Sequence, residues 1–280
     1  MSRARSIRVH AGDAELAVAV RGEGEPLLFV HGFPFDHTMW RHQLGSLHGW
    51  RRIALDLRGV RASTAPGGGY TMARYADDLA AVLDALRIER ATVCGQSLGG
   101  YIVFELLRRH ADRVGALVLV ATKPDADTPE GQRARDQVVA QAEREGPAAV
   151  ADGMLSRLLG RTTRATRPGA AAAVRRMAGG WSVAGMVGAQ RAMRARPDST
   201  ETLRRLRLPA LVIGGGEDEI AAPAVVRAMG ALIANAQVEI VPGAGHAVPL
   251  ERPARTTRAL AGFLATLAGG HALPPSGAAG

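Results

Sequence analysis

The sequence predicts an α/β fold: a mostly parallel sheet with helices on both faces, interrupted near its middle by a helical insertion. Three observations predict it. Short apolar runs alternate with longer stretches of helical apolar spacing up to Ala121, the pattern of strands joined by crossover helices. The alternation then stops, and no buried strand is legible between 122 and 208. It resumes at Pro209, where two further apolar runs end in glycine-containing loops.

Each element has its own signal. "SIRVHA" and "ELAVAVRG" are short and alternating, which suits an opening hairpin. "PLLFVHG" and "RRIALDLRG" are continuous apolar runs, as expected of strands buried on both faces. "YTMARYADDLAAVLDALRI" has helical spacing, with Thr71 placed as its N-cap. "RATVCG" reads as a strand, "SLGGYIVFELLRRHADRV" as a helix and "VGALVLVAT" as a strand. Pro124, Pro129, Gly146-Pro147, Pro168-Gly169, Gly179-Gly180 and Arg196-Pro197 divide the insertion into helices. After it come the strand "LPALVIGGGED", a helix from Pro223, the strand "AQVEIVPGAGH" and a last helix from Arg252 to Leu267. The expected organisation is a core domain of 1–121 and 209–268, a helical cap of 122–208, and a disordered tail of 269–280. A cap there can cover the carboxyl ends of the strands, where open α/β sheets place ligands.

The composition narrows the class. A chain of 280 residues, 47% hydrophobic and 22% charged, suits an ordinary globular protein. No apolar run reaches the length of a membrane span. The opening "MSRARSIRVHAGDAEL" has no signal-peptide core. A cytoplasmic location without a membrane partner is therefore expected. Cys94 is the single cysteine, which excludes an internal disulfide and a cysteine-based metal site; it reads as a small buried residue at a strand end. Neither a metal nor an organic cofactor is expected.

The formal net charge is +9. Between Arg157 and Arg207 twelve arginines stand against Asp198 and Glu201, a local net of +10, while the remainder sums to −1. One reading is attraction of an anionic small substrate to a charged cleft. The other is a solvated arginine-rich face. The segment lacks interleaved aromatics and no recognition module is visible, so no nucleic-acid partner is expected. Oligomeric state is left open.

The chemistry-bearing stretch is "CGQSLGG", 94–100. Gly-x-Ser-x-Gly between a strand and a helix describes a sharp turn that lifts a serine above the sheet edge. Ser97 is the expected nucleophile, and a serine needs a base to take its proton. Of eight histidines, His246 follows the last strand in "VPGAGHAVPLERP" and can reach the elbow. A carboxylate must orient that imidazole; Asp218 and Glu219 stand side by side after "PALVIGG". The chain order is serine, acid, histidine. Two backbone N–H groups must face the developing oxyanion. Leu98, after the nucleophile, and Phe33, in the loop "HGFPFDHTMW", are placed for that.

Together "HGFP", "DLRG", "GQSLGG", "GGGEDEIAAP" and "PGAGHAVPLERP" resemble the α/β-hydrolase-fold superfamily from Pro26 to Leu267. Within it the sequence is most similar to 3-oxoadipate enol-lactonase-like hydrolases and cofactor-free haloperoxidase-like esterases. The resemblance implies that Asp218 is the acid, although Ala221 and Ala222 depart from the family's Thr-Pro; a shift of one residue would make it Glu219. It further implies a serine hydrolase that cleaves a small carboxylic ester or lactone through an acyl-enzyme, under a helical cap. Trp181, Met154 and Met186 in that cap are candidate pocket residues, although helical apolar spacing is first a packing signal. The alternatives are non-hydrolytic use of the same site, such as perhydrolysis or C–C cleavage, or a hydrolase-fold ligand receptor.

Overall fold

A computed structural model of the chain describes residues 5–269. The expected tail, beyond Gly269, lies outside the described residues, as does His271. Eight strands form one sheet in the order β1-β2-β4-β3-β5-β6-β7-β8. They are β1 (Arg5–Ala11), β2 (Ala14–Arg21), β3 (Glu25–Val30), β4 (Trp50–Leu55), β5 (Ala91–Gln96), β6 (Val114–Val120), β7 (Ala210–Gly215) and β8 (Ala236–Val241). β1 and β2 are the antiparallel hairpin, and β2 pairs antiparallel with β4. The other pairings, from β4 through β8, are parallel.

The continuous apolar runs follow from burial on both faces. Alternate residues point to opposite faces of a strand. On β3, Leu28 and Val30 join one apolar core while Leu27 and Phe29 join the other. The same division holds for Leu117 and Leu119 against Val118 and Val120 on β6. The first core packs under α2 (Met72–Ala85), α3 (Leu98–Arg109) and α10 (Pro223–Leu232). The second packs under α1 (Arg41–Ser46) and α12 (Pro253–Gly269). Thr71 does cap α2: its hydroxyl accepts from the Arg74 N–H at 3.0 Å. Arg58 of "DLRG" is fully buried and bidentate on Asp78 of α2, at 2.7 and 2.6 Å. Its third bond reaches Asp13 in the hairpin turn, so one guanidinium joins the loop after β4 to two other elements.

Between β6 and β7 lie α4 (Pro129–Glu145), α5 (Pro147–Leu158), α6 (Arg161–Thr166), α7 (Gly169–Ala178), α8 (Val183–Arg194) and α9 (Thr200–Arg204). Their apolar residues merge with both cores: Trp181, Met186 and Met193 with one, Leu158, Val174 and Met177 with the other. One isolated bridge pairs Val60 with Trp181. The last helix, expected from Arg252 to Leu267, is α12; the four-residue α11 (Val248–Glu251) precedes it within "VPGAGHAVPLERP", a stretch read as a loop. Arg252 separates them at φ −134°, ψ 60°, because the residue before a proline is pushed out of the helical region.

Candidate active site

Ser97 lies between β5 and α3 with φ 51° and ψ −111°. A non-glycine residue there is strained by an amount of order 1–3 kcal/mol. The surroundings hold it in place. Its N–H donates to the Val120 carbonyl at 2.9 Å, and the Thr122 hydroxyl donates to its carbonyl at 3.0 Å. The flanking glycines permit the close approach. A Cβ on Gly95 would stand 2.5 Å from the Gly99 carbonyl oxygen, and one on Gly99 would press into the Val30 carbonyl.

The structure brings Ser97, His246 and Asp218 together. Ser97 Oγ lies 2.8 Å from His246 Nε2, and His246 Nδ1 lies 2.9 Å from Asp218 Oδ2. A carboxylate can only accept, so Nδ1 carries the proton and Nε2 is free to accept from the serine hydroxyl. Asp218 and His246 are buried, and 8% of Ser97 stays exposed. Asp218 Oδ1 accepts from the N–H groups of Ile220 and Ala221 at 2.8 and 2.9 Å. Those donors are backbone atoms, so alanine at 221 supplies the bond as well as threonine would. Glu219 is exposed. Glu217 instead accepts from the Thr162 N–H and hydroxyl, which ties the loop after β7 to α6; these bonds hold its carboxyl below the usual range.

Three buried groups that the sequence reading did not single out set this geometry. Glu251 accepts from the N–H groups of Gly245 and Ala247 on either side of His246, at 2.9 and 3.1 Å, and from Gly160 in the insertion at 2.9 Å. Burial pushes its carboxyl above the ordinary value, against those three bonds. Gln96 donates to the His246 carbonyl at 3.1 Å. His31 Nε2 accepts from the Leu57 N–H at 3.1 Å while Nδ1 donates to the Gly32 carbonyl at 3.0 Å. Burial lowers the His31 pKa, consistent with this neutral tautomer. These partners are 4 to 150 residues away in sequence, apart from the local Gly32 bond; all three lie in quoted motifs, His31 in "HGFP", Gln96 in "GQSLGG" and Glu251 in "PLERP", but nothing in those motifs states which backbone atoms they bond.

Neither the Phe33 nor the Leu98 N–H has a protein acceptor among the described residues. Leu98 opens α3, whose N-terminal end favours negative charge. A cavity of about 190 Å³ meets Ser97 and His246, smaller than the roughly 300–1,000 Å³ of drug-sized ligand sites. Phe33, Tyr101, Met154, Leu158, Met193 and Ile220 form its apolar wall. Met154 is one of its lining residues. Trp181 and Met186 are not. Trp181 packs edge-on against Phe33 with ring centroids 5.2 Å apart, and its Nε1–H donates to the Phe35 carbonyl at 2.8 Å. Met186 is fully buried among the apolar residues of the first core; helical spacing here marked packing. Cys94 is fully buried, and burial pushes its thiol well above the ordinary value.

Among the described residues, Asp36, His37 and Asp56 form a grouping with metal-ligand spacing. Arg61 lies 3.1 Å from Asp36 and 3.8 Å from Asp56, so a guanidinium already offsets part of the charge of the two carboxylates. His37 Nδ1 is 2.7 Å from Asp56 Oδ1.

A family model described as alpha/beta hydrolase fold matches residues 25–253. The chain is 31% identical to the non-heme haloperoxidase of Rhodococcus erythropolis, over 80% of this chain and 86% of that protein. It is 39% identical to the AB hydrolase superfamily protein YisY of Bacillus subtilis, a match that spans 41% of this chain and 46% of that protein. Among solved structures, a thermophilic esterase from Thermogutta terrifontis superposes with a TM-score of 0.87 at 36% identity, covering 95% of this chain and 99% of that one. The enol-lactonase of Burkholderia xenovorans LB400 superposes with a TM-score of 0.85 at 29% identity, covering 92% of this chain and all of that one.

Proposed function

This chain belongs to the alpha/beta hydrolase fold family, and from that premise we propose that it cleaves a small carboxylic ester or lactone through an acyl-enzyme on Ser97. The observation that carries the proposal is the relay from Ser97 Oγ through His246 to Asp218, at 2.8 and 2.9 Å. The esterase and enol-lactonase resemblances support the choice of bond.

The proposed reaction runs in two halves. Ser97 Oγ attacks the ester carbonyl carbon while its proton passes to His246 Nε2. The imidazolium that forms is stabilised by buried Asp218, which also holds the ring in the needed tautomer. The carbonyl oxygen becomes an oxyanion that accepts from the Phe33 and Leu98 N–H groups. The intermediate collapses, the C–O bond breaks, and His246 returns the proton to the leaving alkoxide. A water then gives its proton to His246 and attacks the acyl carbon. Collapse of the second intermediate frees the acid and restores the Ser97 hydroxyl. Every step uses groups of the chain itself, so the proposed chemistry needs no metal or organic cofactor.

A second use of the same acyl-enzyme is favoured by the similarity to the Rhodococcus non-heme haloperoxidase. Hydrogen peroxide in place of water would release a peroxy acid, with His246 taking the proton in the same way. Both uses require Ser97. Turnover of 4-nitrophenyl acetate by the native protein and by Ser97→Ala tests that requirement. The expected loss in kcat/KM is about a thousandfold or more, because the members of such a relay act as a unit. Equal rates would remove Ser97 as the nucleophile.

A further inference from the structure

Two cations in the wall of the Ser97 cavity have no protein counter-ion. Lys123 and Arg157 both line it. Among the described residues neither side chain makes an ion pair or a hydrogen bond. The third cation there, Arg135, is engaged by Asp127 and donates to Gln190 Oε1 at 3.1 Å. Asp127, the one carboxylate among the lining residues, is further held by Arg196 at 2.8 Å. The wall therefore carries an excess of two positive charges beside an apolar surface.

The backbone at Lys123 is fixed close to the nucleophile. It follows Thr122, whose hydroxyl bonds the Ser97 carbonyl. Lys123 is also the only lysine in a chain otherwise supplied with arginine. Arg157 comes from α5, one turn beyond Met154. Of the twelve arginines from Arg157 to Arg207, it alone lines this cavity. Arg175, Arg191, Arg194, Arg196 and Arg204 face carboxylates instead. Lys123 is half-buried and Arg157 exposed where they line the cavity; an ammonium and a guanidinium there can each donate charge-assisted hydrogen bonds to an anion.

We propose that the ester or lactone cleaved at Ser97 bears a free carboxylate away from the scissile bond, held by Lys123 and Arg157. The proposal rests on the hydrolase reading above, and its test separates the two. Turnover of 4-nitrophenyl hydrogen succinate is compared with that of the neutral levulinate ester. A second pair, 3-carboxyphenyl acetate and phenyl acetate, places the charge on the leaving group. The native protein is expected to favour the charged member of at least one pair. In Lys123→Gln/Arg157→Gln the charged-to-neutral ratio of kcat/KM is expected to fall about tenfold or more. Ratios that stay within about twofold of native for both pairs overturn the proposal. If none of the four esters is turned over, the hydrolase reading fails by itself. Calorimetry on Ser97→Ala then decides the charge proposal without turnover. Succinate binding that exceeds succinamide binding, and is lost with the two cations, supports it. Equal binding of the two, no binding of either, or succinate binding unchanged by the two substitutions overturns it.

Discussion

Ser97, His246 and Asp218 meet although 121 and 28 positions separate them in turn along the chain. They were legible because each sits in a loop whose composition states its place: a strand-to-helix elbow, a loop after one strand, a glycine-proline loop after the last. Asp218 was separable from Glu219 only in three dimensions, where one is buried against His246 and the other is exposed. Glu251, Gln96 and His31 were not legible as site residues. Each acts by bonding backbone atoms of other loops, and a bond to a backbone atom leaves no trace in the partner's residue type. His31 offers a prediction with a definite sign. Its Nε2 accepts from the Leu57 N–H, which only the neutral ring can do, and burial lowers its pKa below 6.5. The folded protein therefore holds fewer protons at this site than the unfolded chain. That stabilisation is complete above the unfolded value and is lost as pH falls through the lower folded value. His31→Gln keeps an acceptor and does not titrate. Urea unfolding at about pH 7.5 and about pH 5.5 should show the native protein losing more stability than the variant. Parallel losses would mean that His31 is not held neutral.

The decisive element is β5, its elbow and α3. The strand was readable as an apolar run and the helix from its large apolar residues. What could not be read was how close the backbones run. In an ordinary helix, glycine to alanine stabilises by about 1 kcal/mol. At Gly99 the added methyl would collide with the carbonyl of Val30, at the end of β3 and next to the loop that carries Phe33. Gly99→Ala is therefore expected to reverse the usual sign, destabilising by roughly 1–3 kcal/mol, and to lower turnover by displacing the Phe33 N–H. Thermal unfolding together with 4-nitrophenyl acetate kinetics measures both effects. A more stable Gly99→Ala protein with native turnover would refute the close-packing account of the elbow. The short α11 escaped a pattern-based reading because four residues are too few to show a helical period.

At the scale of the molecule, the alternation of strands and helices was written plainly in the sequence, and so was the stretch where it lapses. The charge of that stretch was harder to interpret. Arg157 to Arg207 sums to +10 in isolation, but Asp127, Asp136, Glu143 and Asp152, just before it in sequence, reach back to pair with four of its arginines. A window drawn along the chain counts the cations and leaves out their partners. Most of that run faces solvent, where such pairs contribute about 0–1 kcal/mol each. In the charge proposal above, only Arg157 of this run bears on the chemistry, together with Lys123 at the same cavity. Under the proposed function the whole architecture matters through one outcome: a single serine made nucleophilic above the sheet edge. Labelling with a fluorophosphonate, followed by peptide mapping, reads that outcome directly. One adduct is predicted, on Ser97, absent from Ser97→Ala and strongly slowed in His246→Ala. An adduct on another residue, or equal labelling of the Ser97→Ala protein, would contradict the account.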